Sequence, residues 1–132
     1  MPQENVELVR RAYDAVNRRD LDAFLALMDA EVEAISFLVA MEGEYRGHAG
    51  IRRWWENLLD VFPDFNIEVV EVRDLGGDSI LATLRWRGHG TGSGTPVDMA
   101  LWMGVRMRDG KCVWWQAFGD KNEALEAVGL RE

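Results

Sequence analysis

The stretch "VDMALWMGVRMRDGKCVWWQAF", Val97 to Phe118, decides the fold class. Side chains on an extended strand alternate between faces, so Val97, Met99, Leu101, Met103, Val105 and Met107 share one side, and all six are apolar. "RDGK" then supplies Asp109-Gly110, a pair that tolerates the positive φ of a tight hairpin, before a second strand from Lys111 to Phe118. The opposite face of the first strand, at Ala100, Trp102 and Gly104, is not polar either. A sheet apolar on both sides needs cover on both sides. The predicted helices cover one, and a second subunit is the expected cover of the other.

Helical spacing of apolar residues predicts helices near 5–18, 20–28 and 48–61. Asp20 is placed to cap the second, and Pro63 stops the third. "EVEAISF" reads as a short strand. Beyond Pro63 the period changes to two, giving strands Asn66–Arg73, Ser79–Gly88, Val97–Arg108 and Lys111–Phe118. "LGGD" is a second hairpin turn. "GHGTGSG" lacks the lysine and following helix of a phosphate-binding loop and reads as a strand-end connection. Asp120 caps a final helix, "KNEALEAVG", ended by Gly129. The prediction is one α+β domain over residues 1–132, with helices against one face of a bent, mostly antiparallel sheet.

With 132 residues and a net charge of −8, the chain is a poor match for nucleic-acid phosphates, which demand clustered Lys and Arg. The paired arginines, such as Arg10-Arg11 and Arg52-Arg53, have acidic neighbours within a turn or two. Cys112 is the only cysteine, so neither an intrachain disulfide nor a Cys-x-x-Cys redox pair is possible. No His, Cys or carboxylate cluster has metal-ligand spacing, and no cofactor is implied. The apolar h-region of a secretory signal and any bilayer-length apolar run are both missing, so the expectation is a cytoplasmic protein with no membrane partner.

The segments "RRAYDAVNRRDLDAFLALMDAEVE", "YRGHAGIRRWW", "RDGK" and "FGDKNEALEAVG" together resemble the SnoaL-like branch of the NTF2-like superfamily, which includes ketosteroid isomerase. The resemblance implies a cystatin-like α+β roll in which a strongly bent sheet wraps three N-terminal helices into a cone with an apolar pocket. It does not carry ketosteroid isomerase chemistry, which needs a carboxylate base plus a tyrosine and a protonated acid. The tyrosine position falls on Ala12, the base position on Ala34 and the acid position on Met103. None of these exchanges a proton.

On the last strand the resemblance points Cys112, Trp114, Gln116 and Phe118 into the cone, with Val113, Trp115 and Ala117 outside. It also turns Trp54 toward a ligand, while Trp55 shares a side with Ile51, Leu59 and Phe62. The expected pocket is therefore Trp54, Leu58, Leu84, Trp86, Met103, Trp114, Gln116 and Phe118, with Gln116 as its polar contact. Catalytic candidates are Tyr13 and an acid–base pair of His89 with Asp98 across the glycine-rich loop. His48 reads as a helix-start residue, and Ser36, Glu42 and Glu44 lie near the vacant base position. Trp102 and Trp115 mark the expected homodimer face. Two functions stay open. One is a small-molecule binding domain, with an isomerase, cyclase or hydrolase type of activity on a hydrophobic substrate unproven. The other is a non-catalytic dimeric binder or scaffold whose own tryptophans fill the pocket.

Overall fold

The structure, a computed structural model, describes residues 2–35 and 44–128. Helix α1 (Pro2–Asn17) is followed by α2 (Leu21–Ala26), β1 (Met28–Ile35), β2 (Glu44–Arg46) and α3 (Gly47–Val61). Strands β3 (Asn66–Gly76), β4 (Ser79–His89), β5 (Pro96–Arg108) and β6 (Lys111–Phe118) form a meander, and α4 (Lys121–Ala127) closes the described chain. Asp20 and Asp120 cap α2 and α4 by accepting from the backbone N–H groups of Ala23 and Asn122.

The six strands run in the order β2-β1-β6-β5-β4-β3. All neighbours are antiparallel except β1 and β6, which are parallel. The result is a curved, open sheet around α1, α2 and α3, the expected α+β roll. Three single-residue irregularities shape it. Val70 and Leu75 are skipped in the pairing of β3 with β4, and Val113 is skipped in that of β5 with β6. An extra residue on one strand bends it and tightens its twist. The bulge also explains why Val70 is 58% exposed in an otherwise alternating strand.

Strand β2 was not foreseen: only Tyr45 of its three residues is buried, too few for an alternation to register. The strand expected in "EVEAISF" begins earlier, at Met28, and its last two residues, like Ser36 and Glu42 as candidates, lie outside the described residues. Among the described residues no helix is long and apolar enough to cross a membrane.

The sheet's outer face corrects a second expectation. Helix α4 packs there, against β5 and β6. Leu81, Ala124 and Val128 are buried but separate from the inner core. Leu81 pairs with Gly104, and a Cβ on Gly104 would lie 3.0 Å from Val128 Cγ1 and 3.3 Å from the Trp114 ring. Glycine stands at that position because the helix end occupies the space. The chain therefore covers part of its own outer face, leaving Trp102 and Phe118, which pair across β5 and β6, half-buried.

Candidate functional site

Two inward rows of the sheet take one residue from each of β4, β5 and β6. Ile80, Val105 and Trp115 form one, and the next is Ala82, Met103 and Ala117. Beyond them Leu84 faces Leu101 and Trp86 faces Met99. Two alanines flanking one methionine leave a gap between bulky rows. Helix α1 lies opposite and presents Leu8, Val9, Ala12, Tyr13 and Val16.

The gap is an apolar cavity of about 70 Å³. Phe24, Leu27 and Met28 close it on one side, Trp54 and Leu58 of α3 on another, and Met107, Cys112 and Trp115 at the far end of the sheet. Two aromatic groups brace the walls. Trp54 meets Trp115 edge-on at 5.0 Å between centroids and stacks on Phe24 at 5.7 Å. Trp86 stacks on Phe65 at 5.7 Å and meets Phe62 edge-on at 4.8 Å. Their rings interlock with one another and leave the centre open.

Polar groups are scarce in this lining. Burial pushes the Tyr13 hydroxyl well above the ordinary phenol range, and the neighbouring Cys112 adds to the shift. Burial likewise pushes the Cys112 thiol up to about 12, against a smaller opposing effect of its contact with Trp114. That thiol donates to the Trp114 carbonyl oxygen at 3.5 Å. Both groups are neutral at physiological pH and hold their protons. Trp115 Nε1 is buried with no hydrogen-bond partner among the described residues.

Of the eight residues expected around a pocket, Trp54, Leu58, Leu84, Trp86 and Met103 line this cavity. Trp114, Gln116 and Phe118 do not; they lie on the outer face opposite Arg106, Gly104 and Trp102. The cause is the Val113 bulge. Met107 pairs with Cys112 but Arg106 with Trp114, so Cys112 points inward and strict alternation from it fails one residue later. Trp115 consequently faces the cavity and is not on the expected dimer face. Gln116 is not its polar contact.

Tyr13 and Ala12 both reach the cavity. His89 and Asp98 do not pair. His89 Nδ1 lies 2.7 Å from Asp64 Oδ2, and its backbone N–H donates to Asp64 Oδ1 at 2.8 Å. Asp98 accepts from Arg85 Nε at 2.6 Å. Both arrangements are exposed and away from the cavity. Proximity in sequence across the glycine-rich loop suggested the wrong carboxylate; the signal for the right one was an aspartate directly after the helix-ending Pro63. His48 Nε2 is 3.0 Å from the Met28 carbonyl oxygen, joining the start of α3 to β1, and Glu44 is exposed and bonded to Arg46. Among the described residues no group of three or more His, Cys, Asp or Glu side chains could hold a metal ion. Phe24, Val9 and Val16 also line the cavity; helical spacing marks them as apolar helix positions, and only the fold shows that the core they face contains a gap.

Residues 9–115 match the SnoaL-like domain family. The chain belongs to that family. No curated protein matches it. Among solved structures, this SnoaL-like domain is similar to an NTF2-like protein of unknown function from Burkholderia pseudomallei, at 19% identity and a TM-score of 0.80, over 96% of this chain and 98% of that one. It is also similar to a candidate SnoaL-like polyketide cyclase from Jannaschia sp. CCS1, at 20% identity and a TM-score of 0.78, over 99% and 95% of the two chains. AclR, a candidate hydroxylase from Streptomyces galilaeus, has 21% identity and a TM-score of 0.73, over 100% and 89%. At such identities the likeness carries the SnoaL-like fold alone.

Proposed function

We propose that this SnoaL-like domain binds a small, uncharged, largely apolar molecule in its inner cavity. The observation that supports this best is the lining itself: apolar side chains around two neutral groups, the Tyr13 hydroxyl and the Cys112 thiol. A ligand carboxylate would lose its hydration there without gaining a cation, at a cost of several kcal/mol. A carbonyl or ether oxygen would lose less and gain a donor. No group lining the cavity among the described residues carries charge, so the lining favours binding over proton transfer of the isomerase, cyclase or hydrolase kind. The cyclase and hydroxylase names belong to relatives too distant to bring their activities here.

Calorimetric titration with paired ligands of matched size tests the reading. Neutral aryl ketones should bind and the corresponding carboxylates should not; Tyr13→Phe should weaken the ketone about fivefold, one ordinary hydrogen bond. Equal binding of ketone and carboxylate, or of neither, would overturn it. Assembly belongs to the same proposal: a homodimer through the outer face, centred on Trp102 and Phe118, which are costly to leave wet.

A further inference from the structure

We infer that Met103 sets the size of the molecule the cavity accepts, acting as a movable wall. The inference rests on the binding reading above. A cavity must approach about 150 Å³ to take a benzene ring, so about 70 Å³ admits no ring unless a side chain moves. Most of the lining is poorly suited to moving. Trp54 and Trp115 are interlocked, Trp86 is clamped between Phe62 and Phe65, and β-branched residues such as Val105 are stiff at their first torsion.

Three methionines, Met28, Met103 and Met107, line the cavity, and Met103 differs from the other two in its neighbours. It stands at the centre of the sheet between Ala82 and Ala117, the smallest side chains on the inner face, so a change of rotamer meets no bulky cross-strand neighbour. An unbranched thioether with three rotatable bonds adapts at little cost and packs favourably against an aromatic ring. The ligand class this fits is a planar neutral aryl ketone of one or two fused rings: the sulfur covers the ring, and the oxygen meets one of the few polar groups of the lining. When no ligand is bound, the same side chain fills part of the space.

Titration of the wild-type domain with acetophenone, 1-tetralone and anthrone, ketones of one, two and three rings, tests this against Met103→Leu and Met103→Ala. Leucine nearly conserves volume and keeps the core filled, but it is branched and less adaptable. It should weaken acetophenone about threefold and 1-tetralone, for which the wall must move further, at least about thirtyfold. Alanine removes the wall and should bring anthrone into the binding range. The Leu variant alone decides the matter if Met103→Ala does not fold, as judged by circular dichroism. The same size limit in wild type and folded variants overturns the role of Met103 while leaving the binding proposal intact. Failure of the wild type to bind any of the three ketones overturns both.

Discussion

Asn17, the last residue of α1, makes two bonds to the edge strand of the sheet. Its Nδ2 donates to the Ile67 carbonyl oxygen at 2.7 Å, and its Oδ1 accepts from the Ile67 N–H at 2.9 Å. Strand β3 lies at the end of the sheet order, so one side of its backbone has no neighbouring strand, and Asn17 takes the place of one there. Asn17→Ala removes both bonds at once. Each is worth about 0.5–1.5 kcal/mol net, and leaving a buried partner unsatisfied moves the loss toward the top of that range. Ile67 is only 7% exposed, so water replaces the amide poorly. Alanine is the better helix former by about 0.6 kcal/mol, which offsets part of the loss. The expected net destabilisation is about 2 kcal/mol. With a urea m-value of about 2 kcal/mol/M for a domain this size, the unfolding midpoint should fall by about 1 M. Asn57→Ala is the control: Asn57 donates a single, longer bond of 3.3 Å to the Tyr45 hydroxyl and should cost under about 1 kcal/mol. Equal shifts for the two variants, or a loss below about 0.5 kcal/mol for Asn17→Ala, would refute the surrogate-strand argument.

Alkaline pH should destabilise the protein through Cys112. The thiol's folded pKa is raised from 9.0 to about 12, so its contribution is whole below the unfolded value and is lost as pH rises across that window, by up to about 1.4 kcal/mol per unit. Urea midpoints of wild type and Cys112→Ala measured from pH 8 to 11 should converge; parallel profiles would contradict this. Gly50→Ala should cost about 1–2 kcal/mol, because its new Cβ would sit 3.0 Å from the Tyr45 carbonyl carbon, a backbone atom that cannot step aside, and the helix-propensity gain of alanine offsets only part of the strain. A thermal melt showing stabilisation would contradict that contact. Sedimentation equilibrium should show a dimer that Trp102→Glu converts to monomer; a wild-type monomer at micromolar concentration would end the assembly proposal.

The sequence made the architecture legible because its signals were long or chemically specific: the apolar face from Val97 to Met107, the Asp109-Gly110 turn and the Asp20 cap all stand in the structure as expected. The cavity wall was legible only where strands alternate without interruption. Leu84, Trp86 and Met103 could be phased from their own strands, whereas Trp115 could not, since nothing in "KCVWWQAF" marks Val113 as the extra residue. Helix α4 escaped placement for a different reason. A seven-residue helix is short enough to pack on either side of a sheet, and the choice is settled by the space above Gly104, a tertiary fact.

The surplus residue at Val113 has a consequence for anyone aligning relatives of this domain. Counting forward from the Asp109-Gly110 turn assigns every later column of β6 to the wrong side, while counting backward from Phe118, which faces Trp102, assigns them correctly. A homologue lacking the residue would present the same inner wall at positions one nearer the turn. Ungapped alignments anchored on the hairpin would then score equivalent wall residues as substitutions.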